Sequence, residues 1–504
     1  MKLRSEIVAR DGIAFPGRSF VEAVLRPIYD EAKTNLLLPM IDIHKAHLVM
    51  LVEQGIVGRE AARKIVAAVN SLDLEALARS DYDGQHEDLF FRVEDLLLQY
   101  AGDVAGNLHI ARSRNDMGVT MYRMVLRERI LEAIDAAIKL YEALLAMAEE
   151  HAGTVMLAHT HTQQAQPTTL GHWFLAAADA LSRDIDRLKG AYACVNLSPM
   201  GAAAFSTSGY PIRRERVAEL LGFAGLIENS YDAIASADYL SGTAAAAILI
   251  AIHIGRLVQD MLQWCTGEFR RIRVADPYVQ ISSIMPQKRN PVSLEHARAL
   301  LSSAAGDATT VMQMLHNTPF GDIVDTEDDM QPYLWHSLLT LTRVLRLLAA
   351  VVTTLEVDRD YLLEQARASY ANVTELADTL VREFGLPFRT AHRIVAIAVK
   401  ETMKHGGEDV RQLKVDIVEA AAEKILGRHL GLQPQQLKRA LDPEHFVAVR
   451  QGRGGVAPVE VKRMLASRND ILDGMKIWLH EARQGLQEAR AKLETAWSEL
   501  GTLG

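Results

Sequence analysis

What most restricts this chain is the length over which its apolar residues keep a helical period. From Leu126 the positions Ile130, Ile134, Ile138, Tyr141 and Leu145 follow in steps of four and three, which places them on one helix face. Glu128, Arg129, Glu132, Asp135, Lys139 and Glu142 fill the other faces. Similar stretches predict helices over roughly 168–194, 236–269, 292–316 and 332–356. The segment AAAAILIAIHIG, Ala244 to Gly255, is apolar all round. A helix without a polar face belongs inside a bundle or at a subunit interface. Strand signals are weak, and no alternating run is bounded by hairpin turns. The expectation is an all-α chain with a long central helical bundle.

Breakers divide it. Residues 79–116 hold short helical runs interrupted by Gly84, Gly102 and Gly106. Loops are predicted at 195–214, 274–291 and 317–332, and Gly452-Arg453-Gly454-Gly455 with Pro458 precedes a helix from about 459. The 504 residues exceed one simple core at about 100–200 residues per domain. We expect an N-terminal helical domain over 1–112, a central bundle over 113–365 and a helical C-terminal domain with a terminal extension over 366–504. The net charge of -9 is spread without a run of like charges, and the basic stripe of a nucleic-acid binder is missing. An anionic substrate must then be held by local donors. Cys194 and Cys265 form no CxxC pair, so buried free thiols are expected, with neither disulfide nor zinc-thiolate site. The start, MKLRSEIVARDGIAF, lacks a signal peptide's apolar core. The run Ala244 to Gly255 is shorter than the ~20 residues of a bilayer span. A soluble, cytoplasmic chain is expected, with no membrane partner.

Four polar stretches stand at helix edges. In His109-Ile-Ala-Arg-Ser-Arg-Asn-Asp116, Arg112 and Arg114 can fork onto carboxylates, Ser113 and Asn115 add neutral donors, and the helix that follows offers its positive end. An exposed N-cap with solvated arginines is the plainer reading. In Leu157 to Pro167, His159 and His161 flank Thr160 and three glutamines follow. A histidine there can move protons near neutral pH. Its i,i+2 spacing and the lack of a nearby carboxylate argue against a metal site. Ile281 to Pro291 reads ISSIMPQKRNP, an extended polar loop enforced by two prolines; Lys288 can hold a carboxylate and Asn290 can cap the helix containing Glu295. Asn317 to Pro332 carries five acidic residues, either a solvated turn or a surface for the positive part of a substrate.

Together these residue types suit cleavage of the C–N bond of an N-(1,2-dicarboxyethyl) compound to give fumarate. Removing the weakly acidic proton beside a carboxylate requires that carboxylate to be clamped as charge develops. Ser113, Arg114, Asn115, Thr160, Lys288 and Asn290 are the right types for clamping. From the residues alone the base is open between Ser282 and His161.

Ser282-Ser-Ile-Met-Pro-Gln-Lys-Arg-Asn-Pro291 resembles the signature loop of the fumarase/aspartase superfamily. Ala111-Arg-Ser-Arg-Asn-Asp116, Thr160-His161 with Gln163 and Ala165-Gln166-Pro167, Tyr210 to Phe223, Glu228-Asn-Ser230, Leu386-Pro-Phe-Arg-Thr-Ala-His392 and Leu441-Asp-Pro443 narrow the resemblance to argininosuccinate lyases, over about residues 40–465. The resemblance implies a three-domain helical subunit, a homotetramer with active sites shared between subunits, a small dicarboxylate substrate and no cofactor. It implies Ser282 as base, His161 paired with Glu295 on the acid side, and Lys288 and Asn290 stabilising the aci-carboxylate. Ser113, Arg114, Asn115 and Thr160 would hold the succinyl part, with Gln287, Asp322, Glu327 and Met330 also at substrate-binding positions. The chain departs from the pattern in the amine half. Asp322, Glu327 and Met330 stand where the family has Tyr, Gln and Lys, and Ala237 replaces an arginine. Val292 replaces the Asp after Asn-Pro, and Ile281 the Gly before the serines. The changed charge disfavours an amino-acid carboxylate there and suits a cationic or neutral amine. Argininosuccinate or an analogue is the expected substrate; a non-catalytic relative, or a lyase for another succinyl compound, is the alternative.

Overall fold

A computed structural model describes residues 2–404 and 406–502. Its centre is five long helices: α1 (Arg114–Glu150), α2 (Leu170–Val195), α3 (Asp238–Trp264), α4 (Val292–Leu315) and α5 (Gln331–Thr353). They run alternately up and down, as their end contacts establish. Arg123, near the start of α1, donates to the Cys194 carbonyl at the end of α2 (2.8 Å) and lies over the Tyr239 ring at the start of α3 (4.2 Å). At the opposite end Trp173 of α2 meets Trp264 of α3, ring centroids 4.4 Å apart. Arg298, early in α4, donates to Gln259, late in α3 (2.7 Å). Gln331 starts α5 beside Tyr239 (3.4 Å), and Arg359, just beyond α5, pairs with Glu150 at the end of α1 (2.8 Å). Where α2 begins against the end of α1, a side chain at Gly171 would lie 2.5 Å from the Ala148 carbonyl, so only glycine fits.

A hairpin interrupts the helices. β1 (Val155–Thr160) pairs antiparallel with β2 (Gln163–Thr169), joined by His161 and Thr162 at φ 51° and 64°. A two-residue turn of this kind needs two left-handed residues, usually Asn-Gly. His-Thr gives no such signal, which is why the hairpin was not expected.

Most buried apolar side chains form one core spanning residues 25–362 together with 461–500, and a second core groups residues 376–440. The terminal helix α6 (Pro458–Thr502), expected as an extension of the C-terminal domain, lies along the main core. Arg468 forks onto Asp179 (2.9 Å twice), Trp478 meets Tyr192 edge-on, and Trp497 donates to Asn70 (3.0 Å). Both cysteines are free and half-buried rather than buried.

The segment 244–255 lies within α3, inside the stretch 236–269 expected to be helical. By length and composition, Asp232–Trp264 and Val324–Thr353 could each cross a membrane, because apolar residues continue beyond the run; half of the first one's most apolar window is already buried in the subunit. In α3 Ala244, Ala247, Ile250, Ala251 and Ile254 face the core, whereas Ala245, Ile248 and Leu249 are partly open and Ile252 is 49% exposed.

Trp497 is 3% exposed and anchors α6 to the first helices of the chain. Trp497→Ala should destabilise the subunit by about 3–5 kcal/mol through cavity formation. A urea unfolding midpoint equal to wild type would show that α6 is not part of the cooperative core.

Candidate active site

One end of the bundle is built around the start of α1. Ser113 caps the helix: its Oγ accepts from the Asn115 amide (3.3 Å), and its own amide donates to Asp116 Oδ1 (2.9 Å). The other carboxylate oxygen of Asp116 accepts from the amides of Gly201 (2.9 Å) and Ala203 (3.0 Å), tying the 199–209 loop to the helix. Burial pushes Asp116 up to about 6 despite these donors. Ser113 and Asn115 are half-buried and remain at the surface of this end. The loop between α4 and α5 closes over them. Asn115 Nδ2 donates to Asp322, and Tyr122 donates to Asp328 (2.7 Å). Arg114 already engages carboxylates of its own subunit, Asp88 (2.7 Å) and Glu87 (3.3 Å), and lies 4.6 Å over the Phe91 ring.

Asp322, Glu327 and Asp328 form the acidic floor of this end. Burial raises all three, and for Glu327 the neighbouring Asp322 and Asp328 charges add to it, taking it to about 7. The protonated Glu327 donates to Asp322, so the pair keeps one proton near neutral pH. Met330 is fully buried behind the acids and contributes packing at its position.

The opposite end carries the other candidates. Thr160 and His161 are exposed at the hairpin tip. Just below the tip Arg271 donates to His159 (3.1 Å). The 282–288 loop is pinched at its neck, where Gln280 pairs with Asn290 and Ile281 with Arg289. Arg289 holds that neck, donating to the Val274 carbonyl (3.1 Å) and pairing with Asp276. Inside the loop, Ser282 Oγ accepts from the amides of Met285 (3.2 Å) and Ile284 (3.4 Å), while the Ser282 amide donates to the Lys288 carbonyl (3.2 Å). Amide donors aimed at a hydroxyl oxygen favour its ionised form. Gln287 and Lys288 are exposed on the same loop, and Glu295 is exposed one turn into α4. Among the described residues His161 and Glu295 are not bonded to one another.

The chain matches a lyase family model over residues 50–306 and an argininosuccinate lyase C-terminal model over residues 370–448. It is 43% identical over 485 residues to argininosuccinate lyase 2 of Agrobacterium fabrum, covering 96% of this chain and 95% of that one. With the argininosuccinate lyase of Methanococcus maripaludis strain C5 it shares 37% identity over 90% of this chain and 92% of the relative. The chain belongs to the argininosuccinate lyase family. Argininosuccinate lyase-type elimination of fumarate, a carbon–nitrogen lyase reaction, is thereby its chemistry. Among solved structures it superposes on a variant of EDDS lyase with bound fumarate, TM-score 0.86 and 31% identity over 98% of both chains. A 3-carboxy-cis,cis-muconate lactonizing enzyme from Pseudomonas putida shares the fold at TM-score 0.70 and 20% identity.

For this family member the subunit separates the sequence-predicted residues into two sets. Ser113, Arg114, Asn115, Asp322, Glu327 and Met330 gather at one end of the bundle. Thr160, His161, Ser282, Gln287, Lys288, Asn290 and Glu295 belong to the other. α1 alone spans 37 residues, about 55 Å at ~1.5 Å per residue. Asp116 and Tyr122 were missed as supports of the first set. The Ser113-x-x-Asp116 capping box could have revealed Asp116; no local signal points to Tyr122.

Because Glu327 is held above the ordinary carboxylate range, the stability it lends is full below that range and is lost as pH rises through about 7. Glu327→Gln should therefore unfold at a higher temperature than wild type at pH 8 and at the same temperature at pH 4. Equal midpoints at pH 8 would show that Glu327 ionises freely.

Proposed function

We propose that the two sets of residues meet between copies of the chain, in a soluble cytoplasmic homotetramer whose active sites are each shared by subunits, with neither nucleic acid nor membrane as partner. The observation that carries this reading is that the sets lie at opposite ends of the bundle, joined by α4, whose 24 residues span about 36 Å. The partly open apolar face of α3 supports it, since such a face gains by packing on another copy. The reading keeps the three-domain division at 1–112, 113–365 and 366–504. The separate core of residues 376–440 supports the second boundary, with α6 returning to the main core.

In the assembled site, the small dicarboxylate end of an N-(1,2-dicarboxyethyl) amine is clamped by Ser113, Arg114, Asn115 and Thr160, with Gln287 beside them. Ser282, ionised to its alkoxide under the pull of the Ile284 and Met285 amides, takes the proton from the carbon next to the carboxylate and returns to the hydroxyl. Lys288 and Asn290 hold the aci-carboxylate that forms, in the manner of an oxyanion site. Its collapse expels the amine, which takes a proton from the side served by His161 and Glu295, and fumarate is released. The amine half faces Asp322 and Glu327. These acids suit a cationic or neutral amine, so the substrate is argininosuccinate or an analogue lacking an amino-acid carboxylate in that half. No metal or cofactor enters these steps.

Ser282→Ala should abolish fumarate release while leaving the oligomer intact, as read by absorbance assay and light scattering; an active variant would remove Ser282 from the role of base. Co-refolding Ser282→Ala with Asn115→Ala should restore part of the activity, since a hybrid contains sites with neither substitution. Failure of every such mixture to recover activity, with hybrids demonstrated by mass, would mean that each site is built from one subunit. A coupled assay decides the amine half. Fumarate release from succinyl amines with a cationic second half should show a KM that falls as pH rises through about 7, because the Asp322–Glu327 pair then gains its second charge. Rapid turnover of argininosuccinate, at or above the ~10 per second typical of enzymes, would end the altered-amine reading.

A further inference from the structure

Behind the Ser113 cap lies a group of buried polar side chains that the reaction does not use. His44 and His47 stand three residues apart on the helix Leu37–Glu53 and so share one face. They are 2% and 1% exposed, and Arg112 is 7% exposed. Arg112 Nη1 donates to His44 Nδ1 (2.9 Å), which places the His44 proton on Nε2. His47 Nε2 donates to the Ile110 carbonyl (2.8 Å). Burial, with the Arg112 charge second, keeps both histidines far below their ordinary range, His47 at about 3, so both act as neutral hydrogen-bonding groups.

Two features of this group ask for a cause. Arg112 Nε, His44 Nε2 and His47 Nδ1 are buried without a hydrogen-bond partner among the described residues. Such orphans are costly, and each calls for an explanation. Ala111, flanked by the two anchored residues Ile110 and Arg112, sits at φ 60°. There its Cβ crowds the following carbonyl, so an alanine reaches that conformation only when its surroundings impose it. The anchors grip the chain on both sides of this one left-handed residue, and Ser113 follows two positions later.

We propose that His44, His47 and Arg112 form a buried lock that holds Ala111 left-handed and thereby aims Ser113, Arg114 and Asn115 at the substrate carboxylate. They are positioning residues: none touches the substrate. The proposal rests on the reading of Ser113 to Asn115 as the succinyl clamp. It predicts that what the lock supplies is a backbone conformation, which glycine can adopt without help.

The test uses the full-length chain, with fumarate as probe in titration calorimetry and amide hydrogen exchange over residues 110–116. In His47→Leu and in Arg112→Met, fumarate affinity should fall about tenfold and exchange should quicken. Adding Ala111→Gly to His47→Leu should bring affinity back to within about threefold of wild type. Wild-type affinity and exchange in both single variants would overturn the lock. So would a loss that Ala111→Gly fails to recover, since His47 would then be packing alone. Should His47→Leu not fold, Ala111→Val leaves the buried group untouched and opposes the left-handed conformation; it should lose affinity to the same degree, and unchanged affinity overturns the proposal. If wild type binds no fumarate, the clamp reading falls by itself. Exchange then decides the lock, supported by faster exchange in the single variants and overturned by none.

Discussion

The constraint on which this molecule turns is the unbroken hydrogen-bond ladder of α1. A capping box fixes its start, and 37 residues later it delivers the chain to the hairpin at the far end of the bundle. A helix of that length is rigid on the scale of a substrate. It sorts the polar residues of the subunit into two populations before any chemistry begins. It also gives the remaining four helices a common axis, so that Arg123 near one end and Trp264 near the other can each be read as a marker of which pole an element has reached.

Much of this was legible in the residues. The apolar spacing from Leu126 and the run Ala244 to Gly255 placed the long helices to within a few positions, because sustained periodicity over twenty or more residues leaves few alternatives. The loop 281–291 announced itself through two prolines and its polar content. What escaped depended on contacts distant in sequence or on unusual turn chemistry. His161 and Thr162 carry the hairpin turn without glycine or asparagine. Arg114 was read as free to grip a substrate, whereas the fold also brings Glu87 and Asp88 to it. His44 and His47 carry a local signal, since two histidines at i,i+3 on an otherwise apolar face call for a buried partner, but nothing nearby in sequence names Arg112 as that partner. The terminal helix reads as an extension because amphipathicity names a buried face but not what buries it.

The net charge of -9 is a poor guide to the local fields. At the start of α1 the helix end, Arg112 and Arg114 supply positive potential, and Asp322, Glu327 and Asp328 oppose it from the loop above. The two signs lie within one side chain's reach, as the Asn115–Asp322 contact shows. Such an arrangement discriminates between the two halves of a ligand: an anionic end favours one side and a cationic end the other. Under the proposed reading, the succinyl clamp at Ser113 to Asn115 and the departures at Asp322 and Glu327 occupy adjoining surfaces, which allows one to vary while the other stays fixed.

The packing of α6 also bears on how the protein is made. Trp497 and Asn70 are 427 residues apart in sequence, yet they close the same core. At a synthesis rate of about 5–20 residues per second, Asn70 waits roughly 20–85 seconds before its partner exists. Throughout that interval the early helices must stay collapsed with a face uncovered. This core can therefore close only after α6 is released. A ribosome that stalls before that point leaves the apolar seam open.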